Sequence, residues 1–246
     1  MSTNIVSTAV RGLFSQLGYT IHRTPSWPDM DAQTIALFRS VRSFTMTSIE
    51  RVYALRESVK YIIRHNVPGS IVECGVWKGG SMMAVAKTLL ELETERDLYL
   101  FDTFEGMPPP TAVDVDLYGV QADVLLKTNP MTPAIAPFEE VCRNMYSTGY
   151  NPARINLVRG KVEDTLPRAA PREIALLRLD TDWYQSTLHE LVHLYPRLIK
   201  GGILIIDDYG HFVGSKKAVD EYFQENGIPI FLNRIDYTGR LAVKPL

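Results

Sequence analysis

Residues 176–184 read LLRLDTDWY and residues 201–210 read GGILIIDDYG. In each, an apolar, β-prone run ends on aspartates: Asp180 and Asp182 in the first, Asp207 and Asp208 in the second. The amphipathic stretch STLHELVHLYPRLI joins them, so the pair predicts one strand–helix–strand unit of a parallel sheet. Open α/β sheets bind ligands at the carboxyl ends of their strands. Acid pairs at two neighbouring strand ends therefore point to a site for a hard cation.

Working outward, SIERVYALRESVKYIIRH repeats apolar residues at helical spacing, with Thr47 or Ser48 as N-cap, and leads into the strand SIVECGV. After it come a glycine-rich turn (WKGGS), a helix (MMAVAKTLLELE) and a strand (DLYLFDTF). The proline-rich EGMPPPTAVDVDLYG can continue neither helix nor sheet, so residues 107–137 read as an irregular or mobile lid insertion. The strands INLVRG, IALLRLD and ILIIDDY follow, with VEDTLPRA, STLHELVHLYPRLI and SKKAVDEYFQENG as helices among them. PIFLNRIDYTGRLAVKP holds two β-prone runs joined by YTG, the mark of a terminal hairpin. The expected fold is α/β: a Rossmann-like sheet, mostly parallel, with a C-terminal antiparallel hairpin. The domain spans residues 46–246, and residues 1–45 form an N-terminal helical extension.

Composition narrows the class without naming it. The 246 residues are 46% hydrophobic, enough for a sizeable core, and a net charge of -2 from 26 basic and 28 acidic residues gives no global attraction to nucleic acid or anionic lipid. No run approaches the ~18 apolar residues of a membrane span, and the N-terminus lacks the apolar core of a secretory signal, so a cytoplasmic location is expected. Cys74 and Cys142 lack metal-site spacing and read as buried free thiols.

VECGVWKGGS (72–81) carries the next chemistry. Gly75, Gly79 and Gly80 allow close backbone approach, and the helix that follows offers free N–H groups. The spacing is not the dinucleotide fingerprint, and Glu73 would repel a pyrophosphate but suits the amino group of an amino acid moiety. Asp102, ending the next strand, stands where an acid bonds ribose hydroxyls in nucleoside-binding folds; capping of a turn is the competing role.

These residues carry a resemblance. MTSIERVYALRESV, VECGVWKGGSM, LFDTFEGMP, GKVEDTLP, LRLDTDWYQST, LYPRLIKGGILIIDDYG and KKAVDEYF, spread over residues from about 46 to 223, resemble the macrocin O-methyltransferase (TylF-type) family. The resemblance implies a class I S-adenosylmethionine-dependent methyltransferase that uses a divalent metal, usually Mg²⁺, and methylates a hydroxyl, often of a sugar on a natural product. It implies Asp180, Asp207 and Asp208 as metal ligands. It assigns Glu73, Gly75 and Ser81 to the methionine part of the cofactor, Asp102 with Thr103 to the ribose, Val162 and Glu163 to the adenine, and Thr47 to the carboxylate end, with Asp180 also beside the cofactor. It further implies a homo-oligomer whose partner is a small hydroxyl acceptor, not nucleic acid or membrane.

Related metal-dependent methyltransferases place a base three residues after the first aspartate, and here that residue is Trp183, which accepts no proton. Asp182 is the first candidate base, Asp180 the second and His211 the third. Capping of a helix near Ser186 is the competing role for Asp182. Trp77 and Trp183 are expected to flank the site, and His189 and His193, without a third ligand, to be a helical surface pair. Two other functions stay open: a nicotinamide oxidoreductase, and a cofactor-binding subunit without turnover.

Overall fold

A computed structural model describes residues 27–129 and 134–245. A boundary between two units of the chain falls between Ala32 and Gln33. Most of the expected N-terminal extension, residues 1–26, lies outside the described residues. Helix α1 (Ala32–Val41), in the second unit from Gln33 on, buries Val41, and Leu37, Phe38 and Phe44 pack against the main core.

Seven strands follow: β1 (Ser70–Cys74), β2 (Leu98–Asp102), β3 (Ile155–Arg159), β4 (Ile174–Leu179), β5 (Leu198–Ile206), β6 (Asn233–Arg234) and β7 (Arg240–Val243). They form one sheet in the order β3-β2-β1-β4-β5-β7-β6. The first five pair in parallel; β7 pairs antiparallel with β5 and with β6. The terminal hairpin is real but short, since β6 keeps two residues of the β-prone run PIFLNRI. Every residue of β1 and β4 is buried, as continuous apolar runs in a parallel sheet require. The chain runs outward from β1 to β3 and returns to β4 beside β1, so the switch point of the topology falls at the ends of β1 and β4.

Two apolar layers sandwich the sheet. Ile71, Leu176, Ile203 and Ile205 face helices α2 (Ile49–Arg64) and α3 (Gly80–Glu91). Val72, Leu177, Leu204 and Ile206 face α7 (Tyr184–Leu194) and α8 (Val213–Glu225). Each such aliphatic side chain contributes about 1.5–3 kcal/mol on full burial. Ser48 caps α2, its hydroxyl accepting from Arg51 N–H at 3.2 Å. Cys74 is buried; Cys142 is only partly so, lying off the Val141/Met145 stripe of α5 (Phe138–Tyr146).

The insertion after β2 departs from expectation. Its described residues are tied down, because short polar side chains supply the order that apolar periodicity does not. Asp114 is fully buried and accepts from Thr111 N–H and the Tyr184 N–H. Residues 122–128 form helix α4 (Ala122–Thr128), and Asp116 forms a bridge with Phe212. The Trp183 indole donates to Pro108 O at 2.9 Å. Helix α6 (Val162–Thr165) lies between β3 and β4.

Gly214 makes this anchoring testable, because a Cβ there would meet Asp114 Oδ1 at 2.2 Å. In an ordinary helix Gly→Ala stabilises by about 1 kcal/mol. Gly214→Ala should instead destabilise by about 1–3 kcal/mol through overpacking and speed proteolysis within residues 107–129. Urea titration and limited trypsin digestion check this; a more stable variant would show that Asp114 does not hold the segment.

Candidate active site

The site begins with charges inside the sheet. Glu73 in β1 pairs in register with Arg178 in β4, and Arg178 with Ile205 in β5. Side chains alternate faces along a strand, so Asp180 and Asp207, each two residues further on, emerge on the same face as Arg178. There the Arg178 guanidinium touches three carboxylates: Glu73, Asp180 at 2.7 Å and Asp207 at 2.6 Å. Arg178 is 2% exposed and Glu73 1% exposed, so neither has water to replace these partners. Arg51, reaching down from α2, contacts the other Asp207 oxygen and holds Asp236 Oδ2 through Nε at 3.0 Å.

Acid still exceeds base. Asp180, Asp207 and Asp208 each present a carboxylate oxygen, and the three oxygens lie within 4.8 Å of one another. Burial pushes the Asp180 and Asp208 carboxyls well above the ordinary range, and the neighbouring acids add to it. Burial likewise raises Asp182 to about 7, opposed by its hydrogen bond with Asp208, and Glu73 to about 7, opposed by Arg178. A group of hard oxygen donors with surplus negative charge and little water suits a Mg²⁺-like cation. Among the described residues no other group of metal-ligating side chains of this kind occurs.

The glycine-rich turn lies against this group. Gly75 has φ +79°, and a Cβ there would sit 1.9 Å from the carbonyl oxygen of Asp180, so only glycine lets the end of β1 cross the acid loop. Trp77 takes φ 46°, an uncommon conformation for a bulky residue. Asp102 holds it there, accepting from the N–H groups of Val76 (2.8 Å) and Trp77 (3.0 Å) and, through its other oxygen, from Phe104 N–H. The turn-capping role of Asp102 is thus realised. Burial raises its pKa against these bonds.

Both halves open into a cavity of about 360 Å³. Thr47, Gly75, Ser81, Asp102, Thr103, Val162, Glu163, Asp180, Asp182, Asp207, Asp208 and His211 all line it. Glu73 does not: its carboxylate is buried on Arg178. Trp77 lines the cavity, whereas Trp183, 3% exposed, packs edge-on against Phe212 outside it. Trp183, not Asp182, is the cap residue of α7, and the helix starts at Tyr184 instead of near Ser186. Asp182 adopts φ 63° with its N–H on Asp208 Oδ2 at 3.2 Å. Burial lowers the His211 pKa, favouring neutral imidazole. His189 and His193 contact each other on α7, away from the aspartates.

Sequence reading missed Arg178, Arg51, Tyr237 and Glu190. A charged residue inside each of the buried runs SIVECG and IALLRLD was the available signal for the first, because opposite charges in neighbouring central strands must pair. Arg51 and Tyr237 carry no such signal. Glu190 of α7 is fully buried, with one oxygen accepting from the Thr181 hydroxyl at 3.0 Å and the other without a protein partner. Burial raises its pKa above the usual carboxylate range, and its bond from the Thr181 hydroxyl steadies the Asp180–Asp182 loop.

Two substitutions test these supports. Arg178→Met leaves Glu73 without a basic partner and removes one from Asp180 and Asp207, and should cost about 3–5 kcal/mol in chemical denaturation, with partial recovery in the Glu73→Leu/Arg178→Met double variant. Equal stability of Arg178→Met and the parent would remove the clamp. Glu190→Gln keeps the shape and hydrogen bonding of a neutral acid and should stay within about 1 kcal/mol of the parent, whereas Glu190→Ala should lose about 2–3 kcal/mol. The reverse ranking would mean that Glu190 is ionised.

Comparison with known proteins agrees with this geometry. The model of the macrocin O-methyltransferase (TylF) family matches residues 18–243. The 8-demethyl-8-(2,3-dimethoxy-alpha-L-rhamnosyl)-tetracenomycin-C 4'-O-methyltransferase of Streptomyces olivaceus is 34% identical over 213 residues, covering 86% of this chain and 80% of that protein. The mycinamicin III 3''-O-methyltransferase of Micromonospora griseorubida is 31% identical over 241 residues, covering 95% and 87%. Among solved structures, the O-methyltransferase NovP superposes with a TM-score of 0.73 at 33% identity, covering 82% of this chain and 83% of that one. With the family match spanning nearly the whole chain, this protein belongs to the macrocin O-methyltransferase family and is an S-adenosylmethionine-dependent O-methyltransferase.

Proposed function

We propose that the protein methylates a sugar hydroxyl of a glycosylated natural product and that the reaction depends on a divalent cation held by Asp180, Asp207 and Asp208. Family membership sets aside the nicotinamide and non-catalytic readings. The observation that carries the metal reading is the convergence of three carboxylate oxygens within 4.8 Å on the wall of the cavity that the glycine-rich turn also enters. The acceptor class is supported by relatives named for methylating a rhamnosyl-tetracenomycin and a mycinamicin.

A cation bound there supplies charge that lowers the pKa of the acceptor hydroxyl. The chain's own residues do the rest. Gly75 lets the methyl donor's turn approach the acid loop, Ser81 and Asp102 bind the donor's methionine and ribose ends, and Val162 with Glu163 borders its adenine. Asp182, at about 7 by burial, takes the hydroxyl proton, with His211 as the second acceptor. The oxygen then forms its bond to the methyl carbon as the carbon–sulfur bond breaks and S-adenosylhomocysteine leaves. Met107 and Pro108, held over the cavity by Trp183, limit water beside the sulfonium.

Incubation with labelled S-adenosylmethionine, Mg²⁺ and a panel of glycosides tests this. Transfer should vanish with EDTA, return with excess Mg²⁺, and fall by about 100-fold or more in Asp207→Asn and Asp208→Asn variants that still bind the methyl donor. Methyl transfer indifferent to EDTA would end the metal reading and leave the O-methyltransferase assignment standing.

A further inference from the structure

Both carboxylate oxygens of Asp207 face a guanidinium. Arg178 holds Oδ1 at 2.6 Å, and Arg51 Nη1 contacts Oδ2. A cation that takes Asp207 as a ligand must therefore meet a guanidinium already in place, and like charges on one carboxylate oppose each other. Arg178 cannot give way, because it is fixed on Glu73 and Asp180 as well and lies within the sheet at 3% side-chain exposure. Arg51 can. Its side chain is 13% exposed, it lines the cavity, and it has a second anchor, Asp236 Oδ2, which the Ser48 hydroxyl also bonds at 2.8 Å.

We propose that Arg51 is a resident counter-ion for Asp207 that competes with the divalent cation and, on loading, pivots onto Asp236. The inference rests on the metal reading of the three aspartates and goes beyond it, since it assigns a positioning role to a helix residue and to the hairpin loop. Asp236 is built to receive the guanidinium: its Oδ1 accepts from Thr238 N–H (3.0 Å) and Gly239 N–H (2.7 Å), which leaves Oδ2 for Arg51 and Ser48. Its carboxyl stays below the usual range: burial works the other way, but these hydrogen bonds and Arg51 outweigh it.

Two variants move the balance in opposite directions. Arg51→Met removes the competitor. Asp236→Asn keeps the Oδ1 bonds that shape the turn and replaces the receiving oxygen with an amide, which leaves Arg51 on Asp207. Binding of Mn²⁺ to the purified protein, without substrates, is followed by paramagnetic resonance and by the thermal shift at saturating metal. Arg51→Met should bind about three- to tenfold more tightly than the parent, the range for loss of one partly exposed competing ion pair. It should also melt lower without metal and gain more on loading. Asp236→Asn should bind more weakly, and Arg51→Lys should resemble the parent.

Equal or weaker binding by a folded Arg51→Met would overturn the competition while leaving the metal site intact. Tighter binding by Asp236→Asn would also overturn it. Absence of Mn²⁺ binding in the parent and in Arg51→Met alike would bring down the metal reading itself, and the competition with it.

Discussion

Arg178 is the constraint on which the site depends. A guanidinium in the middle strand of a parallel sheet has no access to water, and it stays charged at any working pH. It must have carboxylates, and the register supplies one from β1 and one from each of two strand ends. Once those acids converge on it, the sheet carries more negative charge on this face than Arg178 and Arg51 neutralise. An arrangement with that surplus is poor as a stability device, since an apolar core of the same shape would fold better. Arg178 orients Asp180 and Asp207 without saturating the group, as the proposed cation would require.

Topology decides what adjoins this charge. Because the chain returns from β3 to β4 beside β1, the glycine-rich turn after β1 and the acid loop after β4 leave the sheet side by side. Gly75 sets their spacing, with the Asp180 carbonyl filling the volume a side chain would need. The glycine-rich turn and the acid loop thus share one backbone contact, and a shift in either is felt by the other. Asp102 fixes the turn from the far side by holding the strained Trp77 backbone.

Much of this was legible in the sequence and some was not, for identifiable reasons. Strand runs and their terminal acids announce themselves because burial demands apolar residues and function demands the exceptions; Asp180, Asp207 and Asp208 were found that way. Glu73 stands out as an exception too, but its pairing with Arg178 one strand away becomes visible only in the fold. The insertion looked irregular because it is ordered by Asp114, Asp116 and the Trp183 indole, contacts with no periodicity to read. Arg51 sits on an amphipathic helix among other charges, where nothing local marks it as the one that reaches the sheet.

That last point changes how the terminal hairpin should be regarded. A two-residue β6 and a four-residue β7 add little to the core. Yet the turn between them bears Asp236, the second anchor of Arg51, and Tyr237 and Thr238, which line the cavity; Thr238 also donates to the Asp207 carbonyl at 2.7 Å. The antiparallel end of the sheet is therefore a wall of the site. The Thr238 hydroxyl ties this turn to the backbone at the end of β5, so the hairpin and Asp207 are coupled. A turn held this way can shape the cavity wall while the parallel strands, closed to change by their own burial, keep the acids fixed.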